Sequence, residues 1–353
     1  MPRMRATPTI MEREIAEQPH ALSRTLEANA PELQALGRAL RSRPISTVMI
    51  AARGSSDNAG VYANYLFQAF NRVPVAMATP SLYTFHHTPP RLKDIFVLGV
   101  SQSGQSEDIV EVMAEARRQG ALTASITADD RSPVAAQSQH VLKLETGPEK
   151  AVAATKTFTS SLALIAALSS SWQESRERSE ALSQLPDLAS ATLKAAGGAV
   201  ANCAPSYRHI SRCVVISRGF SYGIAMEIAL KLKELTYITA EPYSSADFQH
   251  GPMAMVESNF PVILVATRGV LHDHLMELAR QVKERKPDLV CISDCRDILL
   301  EGDTRLPVSE GAPEWLFPIL AVLPGQMFAL RLSLAKGIDP DVPRGLRKVT
   351  VTR

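Results

Sequence analysis

Two stretches of this chain repeat one pattern at a nearly fixed distance, and that repetition limits the fold more than any other feature. The apolar run Thr47 to Ala52 ends in Arg53-Gly54, and the run Cys213 to Ser217 ends in Arg218-Gly219, so Gly54 and Gly219 lie 165 positions apart. Leu98, in the run Ile95 to Val100, matches Ile263, in Val262 to Ala266, at the same spacing, and Ile126 in Leu122 to Thr127 matches Ile292 in Leu289 to Ser293 at 166. A near-constant offset over three elements marks an internal duplication. With 353 residues, the chain exceeds the roughly 250–300 at which single cores stop growing, so each copy is expected to bury a core of its own.

Further strands fit Val73 to Ala78 and Val141 to Leu144, with helices between most of them, including one that runs from the capping residues after Gly54 to about Asn71. Strands alternating with helices give a parallel sheet covered on both faces. The predicted fold class is therefore α/β, with two tandem domains, each a flavodoxin-like parallel sheet. Leucines and isoleucines at helical spacing in residues 9–42 predict two opening helices. The expected boundaries are N-terminal helices over 1–46, a first domain over 47–172, a polar helical linker over 173–200, a second domain over 201–340 and a tail over 341–353.

Thirty-eight basic against 36 acidic residues, with no long run of either sign, give no reason to expect a nucleic-acid or membrane partner. Cys203, Cys213, Cys291 and Cys295 lack the spacing of a zinc hook and are expected to be reduced core residues. The first residues mix Arg3, Arg5 and Arg13 with Glu12 and Glu14, unlike a signal peptide. The longest uninterrupted apolar run, Leu162 to Leu168, is far short of the ~20 residues that span a bilayer. The expected location is cytoplasmic.

In open parallel sheets ligands sit beyond the carboxyl ends of the strands. Two such ends are rich in hydroxyls, Gly54-Ser55-Ser56 and Ser101-Gln102-Ser103-Gly104-Gln105-Ser106, and Thr155-Lys156-Thr157 opens a later helix. Free N–H groups and the helix dipole suit a phosphate dianion there, serines add donors, and Gly104 is expected to let the backbone come close. The dinucleotide pattern G-x-G-x-x-G and the nucleotide pattern G-x-x-x-x-G-K-[ST] are both missing, and Gly99-Val100-Ser101-Gln102-Ser103 lacks the closing glycine of a hydrolase elbow. In the second copy Glu227, Lys231 and Glu234 share one face of a predicted helix, a pattern that also describes an ordinary solvated surface. His86-His87 and His272-x-His274 have few carboxylates near them in sequence, and no metal or organic cofactor is expected.

The segments Arg53-Gly54-Ser55-Ser56, Ser101-Gln102-Ser103-Gly104, Val152-Ala153-Ala154-Thr155-Lys156, Leu230 to Glu234, His250-Gly251-Pro252 and Pro343 to Lys348 together resemble the sugar isomerase (SIS) domain family. The resemblance is closest to the isomerase half of glutamine:fructose-6-phosphate amidotransferases and to SIS-type glucosamine-6-phosphate deaminases. It implies that Gly54, Ser55, Ser56, Ser101, Gln102, Ser103 and Ser106 hold a sugar phosphate, with Val152 and Ala153 lining the sugar. It implies further that Glu234 moves a proton between C1 and C2, assisted by Lys231 and Glu227. His250 would open the ring from the neighbouring subunit of a homodimer, and Lys348 would meet the open-chain carbonyl. These residue types suit the chemistry: a carboxylate serves as base then acid, a histidine titrates in the right range, and a desolvated lysine can form a Schiff base.

Two positions depart from the family pattern, Ala154 for a serine and Ser55 for a threonine. Pro2 follows Met1 and the first cysteine is Cys203, so the N-terminal cysteine nucleophile of a glutaminase is absent from the start of the chain and glutamine is not expected as a substrate. The reading is a deaminase of glucosamine 6-phosphate. A pure aldose-ketose isomerase, a deaminase of another hexosamine phosphate and a non-catalytic sugar-phosphate sensor stay open as alternatives.

Overall fold

The computed structural model describes residues 7–345 and Lys348; Arg3, Arg5, Leu346, Arg347 and the tail beyond Lys348, all used above, lie outside the described residues. Two compact units result. One contains residues 20–149 and 156–184 together with Lys348; the other contains residues up to 19, 150–155 and 185–345.

In the first unit, five parallel strands, β1 (Thr47–Ala52), β2 (Val75–Met77), β3 (Ile95–Val100), β4 (Leu122–Thr127) and β5 (His140–Lys143), lie in the order β2-β1-β3-β4-β5. In the second unit, β6 (Arg212–Ser217), β7 (Thr239–Ser244), β8 (Pro261–Ala266), β9 (Asp288–Ser293) and β10 (Thr304–Pro307) lie in the matching order β7-β6-β8-β9-β10. Every pairing is parallel. The duplication extends to register: Ile50 pairs with Leu98, and 165 positions on Val215 pairs with Ile263. The helices Glu107–Arg118 and His272–Lys283 keep the same offset. The first covers Met49, Ala51 and Val97 with Ile109, Val112 and Met113, and the second covers Val214, Ile216 and Val262 with Leu275, Leu278 and Val282.

Strands buried on both faces show up as continuous apolar runs, which is why the sequence locates the central ones. The edge strands β7 and β10 carry Glu241, Pro242, Arg305 and Pro307, a composition that edge positions tolerate and that hides a strand from a hydrophobic reading. Helix Phe317–Ala335 is long and apolar enough to cross a membrane, yet 83% of its apolar window is buried, packed on helices Leu185–Cys203 and Tyr222–Thr236. A Cβ on its Gly325 would come within 2.4 Å of Ile228, so glycine sets how closely these two helices approach.

Candidate functional site

Strands β1 and β3 are neighbours, and their last residues Ala52 and Val100 are register partners. The two hydroxyl loops therefore leave the sheet side by side, about one strand spacing of ~4.8 Å apart. Gly54 turns the first loop with φ +56°, and nothing would obstruct a Cβ there, so the need for glycine is conformational. Ser55 and Ser56, half-buried, open helix Ser55–Leu66.

In the second loop the hydroxyl of buried Ser101 accepts the Gly104 N–H at 3.2 Å, and that of Ser103 accepts the Gln105 N–H at 3.3 Å. A hydroxyl that accepts keeps its own proton to donate, so both serines stay competent toward an anion. Ser106 caps helix Glu107–Arg118 through its backbone alone, without a side-chain bond to the helix. Gln102 is half-buried beside them. Gly104 departs from the sequence reading: a Cβ on it would stand 2.1 Å from the Ser132 hydroxyl, so the backbone it lets approach is packed on Ser132. Arg53 and Asp108 tie the loops together, Nε donating to the buried carboxylate at 2.7 Å. Burial raises the carboxyl of nearby Asp57, an effect only partly offset by Arg53.

Lys348 reaches the same unit. Its ammonium donates to Glu149 Oε2 at 2.7 Å, and the Glu149 side chain is wholly buried. Glu149 also accepts the Thr157 N–H at 3.1 Å and the Thr157 hydroxyl at 2.7 Å, fixing the start of helix Lys156–Trp172. Glu149 was missed by the sequence reading because it sits in an irregular segment, outside any helical or strand period.

In the other unit, Glu227, Lys231 and Glu234 lie on helix Tyr222–Thr236. The Lys231 ammonium stands 3.3 Å from Glu227 Oε1 and 2.6 Å from Glu234 Oε2. This is no solvated stripe. Side-chain exposure is 0% for Glu227 and 1% for Lys231, but 23% for Glu234, so Glu234 alone of the three can meet a substrate. Burial by itself would lower the Lys231 pKa, yet the flanking carboxylates outweigh it and leave the ammonium above its ordinary range. Half-buried Val152 and buried Ala153 belong to this unit. Their segment is held by Glu14 of helix Ile10–Ala16, whose buried carboxylate accepts the N–H groups of Lys150 and of Ala151, the latter at 3.2 Å. Glu14 is a second residue without a sequence signal, because the segment it holds is more than 130 positions away. His250, exposed, caps the end of helix Ser245–Gln249, its N–H donating to the Asp247 carbonyl at 3.1 Å. Its ring makes no hydrogen bond or ion pair among the described residues.

A duplicated, doubly wound α/β chain with hydroxyl loops at one set of strand ends and a buried ion triad on a helix defines the class of protein. The particular family follows from comparison: the SIS domain model matches residues 43–171 and again 206–336, and the chain belongs to the SIS domain family. It is 34% identical over 344 residues to the glutamine–fructose-6-phosphate aminotransferase (isomerizing) of Aquifex aeolicus, covering 97% of this chain and 57% of that protein. The chain thus spans less than three-fifths of that relative's length. Among solved structures, a candidate phosphosugar isomerase from Silicibacter pomeroyi superposes with a TM-score of 0.85 at 31% identity, covering 94% of this chain and all of that one. The C-terminal domain of the glucosamine-fructose-6-phosphate aminotransferase of Francisella tularensis superposes at 0.83 with 26% identity, covering 95% and 98%.

Proposed function

We propose that this chain is a cytoplasmic, homodimeric aminosugar-phosphate enzyme that converts glucosamine 6-phosphate and water to fructose 6-phosphate and ammonia. The observation that carries the reading is the Glu227–Lys231–Glu234 triad, in which two wholly buried groups hold one partly exposed carboxylate. In the proposed sequence the phosphate rests on Gly54, Ser55, Ser56, Ser101, Gln102, Ser103 and Ser106, with Val152 and Ala153 against the sugar. His250 of the neighbouring subunit opens the ring. Glu234 takes the proton from C2, giving an enolamine, and returns it to C1, giving an imine at C2 that water hydrolyses with loss of ammonia. A charged Lys231 favours the ionised base, and Lys348 meets the sugar carbonyl before hydrolysis. The buried free thiols Cys213 and Cys291, pushed up to about 12 by burial, suit a reducing compartment.

The test is to incubate purified protein with glucosamine 6-phosphate, galactosamine 6-phosphate and fructose 6-phosphate, each with and without glutamine, and to assay ammonia and ketose phosphate. Ammonia release from glucosamine 6-phosphate, unaffected by glutamine and reversed by ammonium, is expected. Aldose-ketose exchange without ammonia from either hexosamine, or glutamine-dependent synthesis, would replace this reading.

A further inference from the structure

The second sheet presents a different set of side chains at its own carboxyl edge. After β8 and β9 the chain brings together His272, Cys295 and Asp297, one ligand atom from each lying within 4.8 Å of the others. His272 opens helix His272–Lys283, Cys295 precedes helix Arg296–Glu301, and Asp297 lies in that helix's first turn. The sequence pairs His272 with His274, but the structure separates them: His274 Nε2 lies 3.0 Å from Arg218 and 2.8 Å from the Ser245 hydroxyl.

The arrangement of His272 is specific. Its Nδ1 is 2.9 Å from Asp273 Oδ1, and its Nε2 is 3.0 Å from Asp297 Oδ2. Carboxylates thus face both ring nitrogens; a cation entering between Nε2 and Asp297 would take the place of that contact and leave Asp273 on Nδ1, the outer-shell pattern typical of metal-bound histidines. Cys295 Sγ is 3.3 Å from Asp294 Oδ1, and its backbone N–H donates to the Ser293 hydroxyl at 2.9 Å. The cluster borders an open depression lined also by Arg268 and Arg296. Arg268 faces the same cluster: its guanidinium is 2.9 Å from Glu310 and 3.4 Å from the Asp294 carbonyl, and it also interacts with the Cys295 thiol, a contact that a bound cation would replace.

We propose that His272, Cys295 and Asp297 form a site for a borderline-soft divalent cation of the zinc type. Tetrahedral zinc with nitrogen, sulfur and oxygen ligands spaces its donors about 3.3–3.7 Å apart, so the three side chains need only small rotations from their present positions. Mixed imidazole, thiolate and carboxylate ligation selects this class over magnesium or calcium. The thiol proton leaves to solvent as the Cys295 sulfur binds, and a fourth position stays open on the exposed side. The inference is independent of the catalytic reading, because no residue of the proposed reaction belongs to the cluster.

The test uses the full chain, stripped with a chelator and dialysed, titrated with Co²⁺ as a spectroscopic stand-in for Zn²⁺. One equivalent per chain, a near-ultraviolet thiolate-to-cobalt band, visible bands of a tetrahedral ion and displacement by Zn²⁺ are expected. Cys295→Ser should abolish the near-ultraviolet band, and His272→Gln and Asp297→Asn should each weaken binding at least tenfold, with circular dichroism confirming the fold. A missing cobalt spectrum at micromolar protein would overturn the site. So would a spectrum retained in Cys295→Ser, which would put the ion on another thiol such as Cys203.

Discussion

The two sheets are close copies in backbone and near opposites in chemistry. Where the first carries Ser101, Ser103 and Ser106, the matching positions of the second hold Ala266, Arg268 and Leu271. Where the helix after β6 buries Glu227 and Lys231, the helix after β1 buries Tyr62 and Leu66 at the corresponding positions. Arg53 grips a carboxylate, Asp108, whereas Arg218 grips an imidazole, His274. The difference shows that one strand order and register can be kept while hydroxyl-rich loops go to one copy and the Glu227–Lys231–Glu234 ion triad to the other. Fold and site are specified by separable sets of residues.

The largest expected effect strikes the second copy. Glu234→Gln should lower kcat by about a thousandfold, the scale of a lost general acid–base group, with little change in KM. Steady-state kinetics on glucosamine 6-phosphate decides this, and near-normal turnover would remove the helix from the reaction. Lys231→Met comes next, because it strands two carboxylates beside an apolar core. A loss of about 3–5 kcal/mol in urea unfolding is expected. A loss under 1 kcal/mol would mean the triad is no more than a surface pair.

The first copy is tested by Ser101→Ala with Ser103→Ala. Each lost charge-assisted bond should cost about 1 kcal/mol or more, so KM should rise by roughly thirtyfold or more for the pair while kcat holds. Thr267→Ala in the second copy should leave KM unmoved; equal effects in both copies would erase the contrast. A subtler arm mixes the two inactive variants Glu234→Gln and His250→Ala after verified subunit exchange. If His250 serves the neighbouring chain, about a quarter of wild-type activity should return, since half the dimers are mixed and each has one intact site. No recovery would assign both residues to the same chain.

The smallest effect concerns pH. Lys231 has its pKa raised in the folded state, so its stabilising contribution is complete below the unfolded lysine value of about 10.4 and fades as pH rises through the folded value. Unfolding free energy should therefore fall more steeply with pH above about 10.4 in the wild type than in Lys231→Met. Parallel curves would show that the pair is not charge-coupled.

The contrast between the copies also shows what the sequence could convey. Apolar runs placed β1, β3 and β4 to the residue because strands buried on both faces leave little choice of side chain. The expected strand Val73 to Ala78 exceeds β2 by two residues at its start and one at its end, and β7 and β10 are not expected at all, since edge strands share the composition of loops. The spacing of Glu227, Lys231 and Glu234 predicts a shared helical face, while the burial of Glu227 and Lys231 follows from tertiary packing that spacing does not report; helix Phe317–Ala335, which packs on theirs, carries Pro318, Pro324 and Gly325 and is hard to read as a helix. Glu14, Glu149 and the pairing of His272 with Asp297 depend on contacts between distant segments, and periodicity carries no information about those.

Helix Ile10–Ala16 is made well before its partner: the Asp341 carboxylate that accepts the N–H groups of Ile10 at 2.9 Å and Met11 at 3.2 Å follows more than 300 residues later. The first unit has nearly all its parts once residue 184 has been made, whereas the second needs segments that precede and follow the first in sequence. Closing so long a loop is slow compared with local helix formation. Until Asp341 has been made, the Ile10 and Met11 N–H groups lack that acceptor, so the helix that carries Glu14, and with it the anchor of Ala151, is expected to gain its final support later than the first unit does.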